Sequence, residues 1–344
     1  MSESHANRVF RLRRRPEGEL ADGDLELVEE PMPDLEPGQA LVRTKLLSLD
    51  PTNRIWMSDM RAYMPPVPIG AVMRGLGLGE VIESSRDDMP VGATVSGFVG
   101  WQELVLADDS LLEAPLTVLP DPLPAPDSVF LGVLGHTGIT AFLGIDNSAL
   151  REGETIVISA ACGAVGSIAG QIAKARGAYV VGIAGGPEKC AHAVEVLGFD
   201  ACVDHRAPDW RQRLDAATPD GIDVDFENVG GPIMDHVLMR LNIGARIALC
   251  GMIAEYNSSG NGDEGPGLRN ISQLIMQRAT IQGFLVLDHA DRYEEAIGYL
   301  AGLLGEGRLH YDETIVEGGL DAAPAALGQL FSGGNMGKLL VRVS

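Results

Sequence analysis

The sequence predicts an α/β protein, a doubly wound parallel sheet of six strands joined to a smaller β-rich unit, and three observations carry that expectation. The chain has 344 residues, which at about 150 residues per domain suggests two domains. From about Arg151 short apolar strands alternate with helical stretches, the pattern of a parallel sheet covered on both faces. Before that point the chain is rich in Pro and Gly and carries short β-favouring runs without helical periodicity.

In the first unit the expected strands are Ala40 to Leu47, Gly77 to Glu83, Ala93 to Val99 and Trp101 to Leu106. Pro120, Pro122, Pro124 and Pro126 then punctuate the chain, placing a boundary near residue 125. Val129 to Leu143 has the Gly-spaced apolar pattern of a helix packed between units. The expected strands of the parallel sheet are Thr155 to Ser159, Tyr179 to Ile183, Ala201 to Val203, Val224 to Phe226, Arg246 to Cys250 and Thr280 to Val286. A last helix, about Ala290 to Leu304, ends at Gly305 and Gly307. Strand character then resumes over Glu313 to Val316 and Lys338 to Val343 around a short helix, as expected of a tail returning to the first unit. The expected domains are 1–125, 126–306 and a return segment 307–344. Ser258 to Gly267 reads as a flexible loop.

Composition removes several function classes. With 48 acidic against 26 basic residues the net charge is -22, which repels phosphate backbones and anionic membranes. The chain has only 8 Phe, 6 Tyr and 3 Trp, too few for base-stacking platforms or a membrane belt. Thr155 to Ala173 is uncharged, but Gly163, Gly166 and Gly170 interrupt it, so a buried strand-turn-helix explains it better than a membrane span. Cys162, Cys190, Cys202 and Cys250 form no C-x-x-C pair and read as scattered thiols in a reducing compartment. Met1 to Leu12 contains no apolar core of a secretory signal, which makes the cytoplasm the default location.

The strand Thr155 to Ser159 runs through Ala160-Ala161-Cys162-Gly163-Ala164-Val165-Gly166 into a helix over Ser167 to Arg176. This is the context in which a G-x-G-x-x-G turn binds a dinucleotide in a Rossmann sheet, although Ala161 occupies the first glycine position. Gly163 lets backbone approach a pyrophosphate, Gly166 lets the helix close on the sheet, and the helix N-terminus offers N-H groups and partial positive charge. An NAD site usually ends its second strand in a carboxylate that accepts from the ribose 2'-OH. Here that position reads Ala184-Gly185-Gly186-Pro187, while Lys189 and Arg206 follow, so NADP is favoured. The competing reading is that Lys189 and Arg206 are ordinary surface charges.

The first unit lacks cysteine, and His5, His136 and His310 share no ligand spacing, which argues against zinc-assisted alcohol oxidation and for no metal in the reaction. Without a metal, the easier hydride acceptor is a carbon-carbon double bond conjugated to a carbonyl. Charge then moves to an enolate oxygen that hydrogen bonds can stabilise.

The chain resembles the zinc-free medium-chain dehydrogenase/reductases of the prostaglandin reductase, leukotriene hydroxydehydrogenase and curcumin reductase type. The resemblance rests on SLDPTNR (48–54), LGHTGITAF (134–142), AACGAVGSIAGQIAK (160–174), EKCA (188–191), LGFDACVDHR (197–206), DFENVGG (225–231), CGMIAEYN (250–257) and GNMGK (334–338). It implies a GroES-like first domain, a homodimer, and NADPH-dependent reduction of the double bond of α,β-unsaturated ketones and aldehydes. Carried over by motif, Gly163, Ala164, Val165 and Gly166 cradle the pyrophosphate and Lys189 binds the 2'-phosphate. Asn228, Cys250, Gly251 and Tyr256 lie along the cofactor, with Phe284, Leu285, Val286 and Asn335 near its nicotinamide end. Tyr256 becomes the candidate catalytic residue, a phenol of ordinary pKa about 10 that donates to the substrate carbonyl; the alternative is a Tyr that only packs on the cofactor.

Three departures bear on specificity. His205 stands where the family often has Tyr, leaving its adenine-phosphate contact open. Asp50-Pro51-Thr52-Asn53-Arg54 stands for DPYMR, exchanging a bulky lining Tyr for Thr52, and His136-Thr137 stands for Met-Pro. Thr52, Asn53, Met73, His136 and Tyr256 are the expected substrate contacts, with Arg74 nearby. The competing readings are a quinone reductase on the same scaffold and a non-catalytic NADP-binding redox sensor.

Overall fold

The computed structural model describes residues 6–110, 112–121, 126–257 and 267–344. His5, the boundary near residue 125 and the loop expected at Ser258 to Gly267, except Gly267 itself, lie outside the described residues. Among the described residues no helix is long and apolar enough to cross a membrane.

The chain opens with an antiparallel pair that the sequence did not announce, β1 (Ala6–Leu12) and β2 (Leu25–Pro31). Then follow β3 (Ala40–Leu49), the short helix α1 (Thr52–Trp56), β4 (Leu76–Ser84), β5 (Thr94–Phe98), β6 (Leu104–Ala107) and β7 (Thr117–Val118). β3 is buried along nearly its whole length because β4, β6 and a late strand all pair with it. Trp101, expected in a strand, instead sits fully buried, with its amide bonded to Met73 O at 2.8 Å.

The expected helix over Val129 to Leu143 begins later. A 3-10 turn spans Asp127–Phe130, and α2 covers His136–Asn147. Gly135 and Gly138 set this start: a side chain at Gly138 would lie 1.8 Å from Val133 O, so only hydrogen lets the helix fold back on the turn.

The alternating half then runs β8 (Thr155–Ser159), α3 (Gly166–Ala175), β9 (Tyr179–Ala184), α4 (Pro187–Glu195), β10 (Ala201–Asp204), α5 (Trp210–Ala217), β11 (Ile222–Glu227), α6 (Gly231–Leu238), β12 (Leu241–Leu249), α7 (Gln273–Gln277), β13 (Thr280–Gly283) and α8 (Tyr293–Gly305). The six strands pair in parallel in the order β10-β9-β8-β11-β12-β13. Both faces are covered by apolar clusters, one including Ile156, Ile158, Phe142 and Leu300, the other Val157, Val181, Ile247 and Leu214. β13 is shorter than expected, because after Gly283 the chain leaves the sheet edge and Phe284 turns inward.

The tail supplies β14 (Glu313–Val316), α9 (Ala323–Ser332) and β15 (Lys338–Arg342). β15 pairs antiparallel with β3, completing a seven-stranded mixed sheet, and the amide of Gly337 donates to Cys162 O at 2.8 Å. The tail therefore rests on the glycine turn. In a doubly wound sheet the crevice opens at the carboxyl ends of the strands where strand order reverses, here between β8 and β11.

Candidate active site

The glycine turn is sterically strict. Ala160 takes a left-handed φ of 50° where β8 ends, and a side chain at Gly166 would lie 2.4 Å from Ala160 O. Ala161, at the first glycine position of the motif, is fully buried, and Gly182 on β9 makes room for it: a Cβ there would lie 2.8 Å from the Ala161 methyl. The motif thus tolerates its alanine through a glycine on the neighbouring strand.

From this turn a cavity of about 520 Å³ runs between the two sheets. At one end Lys189, His205 and Arg206 line it beside Gly185. Lys189 Nζ donates to Gly333 O at 3.0 Å and Asn335 O at 2.5 Å, and Arg206 Nη2 donates to Ser332 O at 2.7 Å. Burial pulls the Lys189 ammonium below its usual range, as burial and the Arg206 charge do for His205. The end of β9 carries no carboxylate, and Asp204 at the end of β10 is occupied by the amides of Gly186 at 2.7 Å and Arg206 at 2.9 Å. Two cations without a competing acid suit a phosphate more than a ribose diol.

Gly163, Ala164, Val165 and Gly166 form the next stretch of wall. Opposite them lie Asn228, Cys250 and Gly251. Asn228 is held by Ser159, whose Oγ accepts from its amide at 2.7 Å and whose carbonyl accepts from Nδ2 at 2.8 Å. Beneath it the fully buried Glu227 accepts from Ser159 Oγ at 2.6 Å and from the amides of Val229 and Gly230 at 2.5 and 3.0 Å. Burial raises the Glu227 pKa and these donors oppose the rise. Sequence reading missed this residue, though DFENVGG contained it.

At the far end the wall is Tyr256, Thr52, His136, Phe284, Leu285 and Val286. Asn335, expected near the nicotinamide, lies instead at the Lys189 end, where its carbonyl accepts from Lys189 Nζ. Tyr256 Oη accepts from the Met252 amide at 3.0 Å, and burial raises the phenol above its ordinary range. At neutral pH it keeps its proton, and the amide takes an oxygen lone pair rather than that proton. His136 stacks edge-on to Tyr293 at 6.1 Å between ring centroids. Burial lowers its pKa, which Asp50 opposes and Lys338 reinforces, so it is a neutral imidazole at neutral pH.

Two expected substrate contacts are elsewhere. Asn53 is 1% exposed and points into the fold, accepting from Asp50 N at 2.8 Å and donating to Arg74 O at 3.1 Å. It shapes the DPTNR turn instead of facing the cavity. Met73 is fully buried in the first unit's core with Trp101 and Leu12. Arg74 beside it is pinned by Glu113 and lies 5.2 Å over the Trp56 ring. What sequence reading missed is Tyr63, which with Ile55, Trp56, Met64 and Phe98 completes the apolar mouth. Its hydroxyl meets Thr52 Oγ1.

Comparison with known proteins fits this geometry. A family model described as N-terminal domain of oxidoreductase matches residues 8–114, and one described as zinc-binding dehydrogenase matches 164–302. The NADPH-dependent curcumin reductase of Escherichia coli is 41% identical over 349 residues, covering 99% of this chain and 98% of that protein. The chain belongs to the zinc-independent medium-chain dehydrogenase/reductases, in their NADP-dependent reductase group. Within that family, prostaglandin reductase 1 of Rattus norvegicus is 34% identical, with 97% of this chain and 98% of that protein covered. The crystal structure of CurA from Vibrio vulnificus in complex with NADPH superimposes with a TM-score of 0.91 at 39% identity, covering 98% of this chain and 99% of that one.

Proposed function

We propose that this reductase carries out NADPH-dependent reduction of the carbon-carbon double bond of α,β-unsaturated ketones and aldehydes. The observation that carries the reading is a single cavity with a two-cation, acid-free end at Lys189 and Arg206 and a proton-bearing Tyr256 at the other. The residues present fit the cofactor: the glycine turn admits no side chain at Gly166, and Gly333 leaves the space between Arg206 and Lys189 free of a Cβ. The relatives named for curcumin, prostaglandin and 2-alkenal reduction support the same chemistry.

In this reading Gly163 to Gly166 hold the pyrophosphate against the start of α3, Lys189 and Arg206 hold the 2'-phosphate, and Asn228 with Cys250 and Gly251 line the path to the nicotinamide. NADPH, when bound, supplies a hydride to the β-carbon of the enone. Tyr256 donates its hydroxyl proton in a hydrogen bond to the substrate carbonyl and so stabilises the developing enolate oxygen, and the enolate then takes a proton at its α-carbon from water or a relayed donor to give the saturated product. Trp56, Met64 and Phe98 exclude water from the mouth, and Thr52, Tyr63 and His136 offer polar contacts to the distal part of the substrate.

We also assign a homodimer to this chain. β13 is an exposed edge strand, and Ile243, Ile275, Met276 and Ile281 around it are 70%, 75%, 59% and 38% exposed, an apolar surface that a second copy covers. Ile275→Glu with Ile281→Asp is expected to move the elution-coupled light-scattering mass from two chains toward one.

The deciding experiment follows NADPH oxidation with an enone panel and identifies products by mass spectrometry. A saturated ketone or aldehyde is expected. A hydroquinone from quinones alone, or NADPH retained without turnover, would overturn the reading.

A further inference from the structure

We propose that His192, His310 and Asp312 form a binding site for one divalent transition-metal ion, distinct from the cavity, that ties α4 to the tail segment. His192 lies on α4, one helical turn beyond Lys189, whereas His310 and Asp312 lie between α8 and β14. The fold brings together residues more than a hundred positions apart. His192 Nε2 is 2.7 Å from Asp312 Oδ2, and His310 Nε2 is 3.1 Å from Asp312 Oδ1. The three prospective ligand atoms lie within 4.8 Å of one another, and the two rings are 6.0 Å apart.

The geometry is close to that of a metal centre. Zinc holds nitrogen and oxygen ligands at about 2.0–2.1 Å, which in a tetrahedral arrangement places them about 3.3 Å apart. Seating the ion between both imidazoles and the carboxylate requires separations of up to 4.8 Å to close toward that spacing. On binding, any proton on either Nε2 leaves to Nδ1 or to solvent, and a metal-nitrogen bond replaces each Nε2 contact with the carboxylate. Two imidazoles and one carboxylate suit zinc, nickel or copper better than magnesium or calcium. Three protein ligands leave a position for water, and the side of His310, 49% exposed, gives access.

The supporting contacts are those of a built site. The His310 backbone is held from both sides by Gln171 on α3, which accepts from His310 N at 2.7 Å and donates to His310 O at 2.8 Å. The Asp312 carbonyl accepts from Lys338 N at 2.8 Å. Ligands mounted on fixed backbone need little reorganisation to bind. None of the three lines the cavity, so the ion has no part in hydride transfer. Its effect is mechanical: it fixes α4, which carries Lys189, against the segment between α8 and β14, a second tie to the tail beside the Lys189 contacts with Gly333 and Asn335.

The test is titration of the EDTA-dialysed full chain with zinc chloride by calorimetry, with thermal unfolding as second readout. The expected result is one equivalent bound, a midpoint that rises with zinc, and no comparable response to magnesium. His310→Ala and His192→Gln should each weaken zinc binding by roughly 10- to 100-fold, at least the loss typical of removing an outer-shell partner. Metal-free enone reduction by His310→Ala should equal that of the unaltered chain. His310 is half-exposed, so this variant is expected to fold. Zinc binding that neither substitution weakens, or no binding at all, would overturn the proposal and leave a hydrogen-bonded His-Asp-His triad.

Discussion

The amide of Met252 donates to the Tyr256 hydroxyl oxygen at 3.0 Å, so the turn that follows β12 fixes the phenol in position while leaving its proton for another acceptor. Burial raises the Tyr256 pKa, and therefore this proton remains present throughout the neutral range.

Tyr256→Phe removes the donor without changing the ring. Turnover of saturating enone should fall by roughly 10- to 150-fold, the worth of one hydrogen bond to a charged group, with NADPH affinity little changed. Stopped-flow hydride transfer checks this, and an unaltered rate would remove Tyr256 from the chemistry.

Lys189→Ala should discriminate between coenzymes. Loss of a charge-assisted contact to the 2'-phosphate is expected to weaken NADPH by roughly 10-fold or more while NADH changes little. Fluorescence titration with both coenzymes reads the ratio; equal losses would show that Lys189 serves only to hold the carbonyls of Gly333 and Asn335.

The Thr52 and Tyr63 hydroxyls meet in the lining of the cavity. Thr52→Tyr, the residue frequent in the family, fills that side. KM for a bulky diaryl enone should rise more than KM for a short alkenal, whereas equal effects on both would place the substrate elsewhere.

Asp225 is fully buried on β11 between Val157 and Ile247, and both its oxygens lack a hydrogen-bond partner among the described residues. Burial, then the neighbouring Glu227, pushes its pKa well above the usual carboxylate range. A carboxyl raised in the folded state costs stability as pH climbs above its unfolded value of about 3.9. Asp225→Val continues the apolar file. At pH 8 it should raise the thermal midpoint by about 2–10 °C, the equivalent of one unsatisfied buried polar group. The gain should shrink toward pH 5, and calorimetry at the two pH values measures it.

Much of this was present in local sequence pattern. Strand and helix alternation placed the six-stranded sheet, and the glycine spacing located the turn at Gly163 and Gly166. The acid-free end of β9 marked the end of the cavity that Lys189 and Arg206 line. Each of these signals lies within a few tens of residues, where side-chain period and backbone sterics act directly. Tertiary structure alone decided which residues of neighbouring motifs face the cavity. It turned Asn53 and Met73 into the core and brought Tyr63 to Thr52. It also bonded Glu227 on β11 to Ser159 on β8 and joined His192 on α4 to Asp312 in the tail. Those relationships depend on how separate strands and helices cross, and no periodicity along one chain segment encodes the partner supplied by another.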